Sequence, residues 1–155
     1  MDPTIRARPL FAGQVNGKVE VNYARYDEFR RILEAESPHV VFTHWPLDTH
    51  EDHRANSLLV YDAWLKMGKR FSLFFFEVMT GEQSSHFWPT HYVDITDTAG
   101  RKRAACYAHA SQNPDDFYRI HDEMNRFRGH EYGCSQAEAF IRHVQSPDPA
   151  LPLSS

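Results

Sequence analysis

Hydrophobic and polar positions alternate along this chain in blocks that change period several times. From Asn22, "NYARYDEFRRILEAES" places Tyr26, Phe29, Ile32 and Leu33 on one helical face with Arg and Glu opposite. Asn22 is a helix-starting residue and Pro38 ends the segment. "HVVFT" is β-branched and aromatic, lies between Pro38 and Pro46, and predicts a buried strand. A second helix is expected from about Asp52 to Met67. It is apolar on most sides (Leu58, Leu59, Val60, Ala63, Trp64, Leu65), hence largely buried, and Gly68 stops it.

"RFSLFFFEV" predicts a second continuous apolar strand, Phe71 to Val78, and "HYVDIT" an alternating third, His91 to Thr96. The polar stretch "MTGEQSSHFWPT" between them is a loop. Asp97 or Thr98 caps a helix running to about Ser111, broken by Asn113-Pro114. A further helix spans about Asp116 to Arg128 and is stopped by Gly129. Ser135 and Glu138 have capping-box spacing for a last helix through Val144. The opening, "MDPTIRARPLFAGQVNGK", is irregular, and "SPDPALPLSS" closes the chain as a tail, leaving residues 1–147 as one domain and 148–155 outside it. The alternation of helices and strands predicts an α/β layered fold with a mostly parallel sheet flanked by helices.

Composition narrows the function. A 155-residue chain with 41% hydrophobic content supports one real core. Seventeen Lys and Arg stand against 21 Asp and Glu, with no long basic run, so no nucleic-acid partner is expected. Two cysteines without a CxxC pair fit a reducing cytoplasm. No apolar stretch is long enough to span a bilayer, and the first 15 residues lack the apolar centre of a signal peptide.

The chemistry concentrates in "FTHWPLDTHEDHRA", where His44, His50 and His53 fall among Asp48, Glu51 and Asp52 at the end of the first strand. In open α/β sheets, ligands bind outside the carboxyl ends of the strands. His50 and His53 are three residues apart, so a first helical turn puts both imidazoles on one side. The helix N-terminus disfavours imidazolium, which keeps the rings able to ligate or accept. Asp52 either caps the helix or orients an imidazole. Both histidines are equally open to a plain role as helix-start residues bonding locally. "HEDH" is one residue too short for the H-E-x-x-H of zinc proteases. A catalytic zinc takes three protein ligands, and His53, His50, His44 and Asp48 lie too close along the chain to surround an ion unaided.

"PHVVFTHWPLDTHEDHRA" resembles the second motif of the PIG-L (LmbE-like) family of zinc-dependent N-deacetylases, a strand leading into P-x-D-x-H-x-D-H and a helix. "FFFEVMTGEQ", "PTHYVDIT", "RKRAACYAHASQNPD" and "AEAFIRHVQSP" resemble bacterial members too, so the likeness runs from about Phe11 to Pro147. The resemblance implies a Rossmann-like fold and hydrolysis of an acetamide on an N-acetylated sugar or related small molecule. It implies His53 as a Zn2+ ligand, His50 as the group that polarises the amide carbonyl or stabilises the oxyanion, and Asp52 as the acid between them.

The family's A-H-P-D-D motif, which completes the metal site and supplies the general base, does not occur in these residues. Asn113-Pro114-Asp115-Asp116 lacks the histidine and follows a helix, so it is expected to be a helix break and cap. The expectation is an N-terminally truncated deacetylase with an incomplete zinc site, weak zinc binding and self-association as a homo-oligomer. The alternative is a metal-free binding or assembly module on the same scaffold.

Asp48, Glu77 and Glu82 are candidate substrate contacts, with Thr80 and Gln83 beside them. Glu77 and Glu82 fit a solvated loop equally well. His44 and Trp45 wall the site or pack as a strand-end pair. Cys106 is a small packing residue, Gln136 stands where the family often has a tyrosine, and Glu138 is the capping-box acid.

Overall fold

The computed structural model describes residues 7–147; the expected tail 148–155 and the first six residues of the irregular opening lie outside them. Among the described residues the α-helices and strands follow in chain order as α1 (Tyr23–Glu36), β1 (Val40–His44), α2 (Glu51–Lys66), β2 (Ser72–Phe76), β3 (His91–Asp94), α3 (Ala99–Tyr107), α4 (Pro114–Tyr132) and β4 (Ala137–Arg142), with a 3-10 turn at Ala110–Gln112. The strand order is β1-β2-β4-β3. This is an α/β fold, as the pattern predicts, and its sheet is partly parallel: β1 and β2 pair parallel, while β2 and β4 pair antiparallel.

The described residues form two compact units, one of residues 11–91 and 140–147, the other of residues 7–10 and 92–139. In the first, Asn22 caps α1 by accepting the Arg25 N–H, and Ser37 closes it in the left-handed region ahead of Pro38. The crossover helix α2 returns the chain so that β2 lies beside β1 in register, Val40 opposite Ser72 and His44 opposite Phe76. Val60, Trp64, Met67, Phe71, Leu73 and Phe75 form the core, with Phe29 and Leu33 of α1 packed against it. Trp64 is fully buried, and its indole N–H is satisfied by the Phe71 carbonyl at 2.8 Å.

Burial is narrower than the sequence suggests. α2 buries one face only, through Leu59, Val60, Ala63 and Trp64, while Leu58 and Leu65 are 46% and 42% exposed. β1 ends the strand order, and its Phe42 is 45% exposed where a buried strand was expected. A helix that meets one packed layer buries one stripe, however apolar its other sides are.

The C-terminal third departs more. Gly129 does not stop α4, which runs to Tyr132 and ends at Gly133 with φ 93°. Gly129 is buried where the chain doubles back, and a Cβ there would lie 2.8 Å from the backbone of Cys134 and Ser135. The expected last helix is instead β4. Ala137, Ala139 and Phe140 are buried, and the Phe140–Arg142 stretch pairs with β2. Cross-strand partners outweigh the helix preference of two alanines. Glu138 is therefore no capping residue; it pairs with Lys102 at 2.6 Å. Asn113-Pro114 behaves as a helix start, with Pro114 in the first turn of α4.

Candidate functional site

The site forms where β1 ends and α2 begins. The turn between them is tied down by its own side chains. The buried Asp48 accepts the His50 N–H through Oδ1 at 2.8 Å, and Arg54 donates to the carbonyls of Asp48 (2.7 Å) and Thr49 (2.8 Å). A second loop braces the turn from outside. Thr49 N–H donates to the Gln83 carbonyl, Ser85 N–H to that of Leu47, and the Trp45 indole to that of Ser85, all within 3.1 Å. Arg54 and the Gln83–Ser85 backbone were not foreseen. Main-chain partners leave no mark in residue type.

His50 occupies the cap position of α2, and its Nδ1 accepts the Asp52 N–H at 3.2 Å. An imidazole seldom holds this position, which Ser, Thr, Asp and Asn dominate. With Nδ1 accepting, the neutral ring carries its proton on Nε2, so His50 is a hydrogen-bond donor at its outer edge.

His53 lies between two other imidazoles. Its ring centre is 4.5 Å from that of His50 and 4.1 Å from that of His44, with planes 16° from parallel in each case. The Oδ2 of Asp48 stands 3.2 Å from His53 Nδ1, at ion-pair distance without the direction of a hydrogen bond. The carboxylate side chain is 0% exposed, so its charge favours the proton on Nδ1 and leaves the Nε2 lone pair free. The contacts at Nδ1 thus favour opposite tautomers in two adjacent imidazoles.

His44 completes the stack. The Asn56 amide donates to its Nδ1 at 3.3 Å and to Thr43 Oγ1 at 3.2 Å. Burial, and then the charge of His53, push its pKa down to about 4, so His44 is a neutral ring.

Asp52 is placed differently from its expected role. Its carboxylate accepts the backbone N–H groups of Gly17 (2.5 Å) and Val19 (3.1 Å), and these hold its pKa below the usual carboxylate range. The carboxylate meets His50 and His53 through charge alone, while fastening a segment more than thirty residues upstream. Glu77 is buried at the end of β2 and accepts the Thr80 hydroxyl. Glu82 is exposed in the turn that follows, its N–H on the Met79 carbonyl.

A zinc ion needs donors that converge on one point. Lone pairs of stacked imidazoles lie in near-parallel planes and run side by side, so His44, His53 and His50 do not form such a set. Among the described residues no three His, Cys, Asp or Glu side chains are grouped to hold a metal. His53 is one preset donor, and the described residues alone do not fit the ion.

The fold is shared with known enzymes that differ in chemistry. No protein-family model and no curated protein matches the chain. Solved structures do. The conserved protein TT1542 from Thermus thermophilus superposes with a TM-score of 0.73 at 24% identity, over 92% of this chain and 68% of that one. N,N'-diacetylchitobiose deacetylase from Pyrococcus horikoshii matches with a TM-score of 0.63 at 24% identity, over 84% of this chain and 57% of its own. GalB, the 4-carboxy-2-hydroxymuconate hydratase from Pseudomonas putida KT2440, gives 0.65 at 18% identity, over 85% and 63%. The chain therefore spans less than two thirds of the deacetylase and of the hydratase. At these identities the likeness establishes the fold. Among the described residues, no helix is long and apolar enough to cross a membrane.

Proposed function

We propose that this chain carries the second-motif half of a PIG-L-like, zinc-dependent N-deacetylase that hydrolyses an acetamide on an N-acetylated sugar or related small molecule. The observation that carries this reading is that His50 Nδ1 is occupied by the Asp52 N–H while the buried Asp48 carboxylate stands 3.2 Å from His53 Nδ1, which leaves the Nε2 atom of each ring for other partners. In this reading the Nε2–H of His50 donates to an acyl oxygen as it gains charge, the interaction that lowers barriers in acyl transfer. His53 offers Nε2 as a donor to a metal whose remaining ligands come from outside the described residues. Asp48 sets the His53 tautomer, and Glu77 and Glu82 are proposed to meet the sugar hydroxyls. The shared fold with a chitobiose deacetylase supports this reaction class.

The test is release of free amine from N,N'-diacetylchitobiose and N-acetylglucosamine, with added zinc, by the protein extended to the next upstream start. Turnover is expected to fall at least 100-fold in His53→Ala and by about 10²–10³ in His50→Ala, the range for loss of an oxyanion donor. A zinc-loaded extended protein with no amine release sinks the enzyme reading.

A second reading, a non-catalytic binding module on the same scaffold, is favoured by one observation: the described side chains do not form a ligand set for zinc. It requires the extended protein to bind no zinc, and a near-stoichiometric metal content excludes it.

A further inference from the structure

The unit of Tyr92–Ala139 holds a cavity of about 490 Å³ between α3 and α4. It uses none of the residues of the histidine cluster, and the proposed deacetylation gives it no task. Its volume is in the range of small-molecule sites.

The charges in its wall are unequally matched. Arg119 is paired with Glu123 at 2.7 Å and Arg126 with Asp122 at 2.8 Å. Asp122 also accepts the Gln136 amide, and Asp115 accepts the Tyr107 hydroxyl, each at 2.7 Å. Arg103 differs. Its guanidinium lies over the Tyr107 ring, 4.1 Å from the centroid, and 5.7 Å from that of Tyr118, and among the described residues no carboxylate pairs with it. The Tyr107 hydroxyl takes one contact of the guanidinium, and because arginine carries five N–H donors in a planar fork, others remain for a partner.

We propose that this cavity binds a small monocarboxylate with a flat apolar body, its carboxylate taken in a two-point contact by Arg103 and its body laid along Tyr118. Of the three guanidinium groups in the wall, Arg119 and Arg126 each have a carboxylate partner and Arg103 has none among the described residues, which leaves one cationic fork for a monoanion. A phosphate dianion would meet Asp115 and Asp122 with its second charge. The planar fork of arginine matches carboxylate geometry.

Benzoate is the probe, with benzamide and inorganic phosphate as comparisons, followed by calorimetry and by the NMR shifts of the tyrosine rings. Benzoate is expected to bind saturably with a Kd of about 1 mM or below, the range for so small a ligand. Benzamide and phosphate are expected to bind at least tenfold more weakly. Arg103→Gln should lose at least tenfold for benzoate, and Arg119→Gln, whose charge is already matched, less than twofold. If Arg103→Gln loses its fold by circular dichroism, Arg103→Lys carries the test, since it keeps the charge, lacks the fork and should lose at least threefold. Benzoate binding that is absent, that survives these Arg103 variants, or that benzamide or phosphate equals overturns the proposal.

Discussion

The imidazoles of His44 and His53 lie face to face, ring centres 4.1 Å apart, although one belongs to a strand and the other to the following helix. The stack fixes the plane of His53 from below while His50 fixes it from above. His44→Ala is expected to cost about 1 kcal/mol or more, the size of an aromatic pair beyond its buried area. His44→Phe, which keeps a flat ring, should cost clearly less. Urea midpoints of the two variants decide this, and equal midpoints would show that the stack holds nothing.

Asp52 is expected to act at a distance along the chain. Asp52→Ala removes the acceptor of the Gly17 and Val19 N–H groups, so their amide exchange should quicken at least tenfold while α2 stays protected. The carboxyl pKa is depressed below 3.8, chiefly by those two bonds. The protection is therefore present above that value and is lost as pH falls through the lower, folded one. Exchange rates at Gly17 and Val19 that do not change on substitution would rule the latch out.

Stability should decline on mild acidification. His143 packs on Trp64 with ring centres 4.4 Å apart, and burial, then Lys69, lower its pKa from 6.5. Below pH 6.5 the unfolded chain takes a proton that the folded chain still refuses, so stability is greatest above that pH and falls as pH drops toward the folded value. His143→Phe keeps a ring on Trp64 without the proton site. The difference in urea stability between about pH 7.5 and about pH 5 should shrink, yet not vanish, because His44 and His121 are shifted in the same direction. An unchanged difference would remove His143 from the account.

Two glycines four residues apart should respond unequally. At Gly129 an added methyl meets backbone at 2.8 Å, whereas Gly133 has open space and only its positive φ to defend. Gly129→Ala is expected to cost at least about 2 kcal/mol, in the range of overpacking, and Gly133→Ala about 1 kcal/mol. Thermal melts should show the larger fall in Tm for Gly129→Ala, and the reverse order would contradict the close approach.

Local signals made the first half of the fold legible. Asn22, Pro38 and Gly68 mark boundaries by chemistry that acts within a turn, and α1, β1, α2 and β2 fall close to their expected places. β4 was not legible, because Ser135 and Glu138 imitate a capping box while the partners that make the segment a strand are in β2. Gly129 misled for a related reason, being small for the sake of a neighbouring chain segment. In the site, the approach of His50 to His53 follows from helical spacing, and the charge of Asp48 near them from sequence proximity. The hold of His44 on His53 depends on how α2 sits over β1, and the attachment of Asp52 to Gly17 and Val19 on a loop that carries no motif.

The position of His50 couples the site to folding. Starting a helix is the costly step of forming it, since several residues must be ordered for the first hydrogen bonds. In α2 that step is completed by the imidazole of His50 on the Asp52 N–H. The ring is ordered by the same event that starts the helix, so its alignment requires no separate loss of freedom when a ligand arrives. Replacing His50 is therefore expected to loosen the first turn of α2, and amide exchange at Asp52 reports on this residue without any substrate.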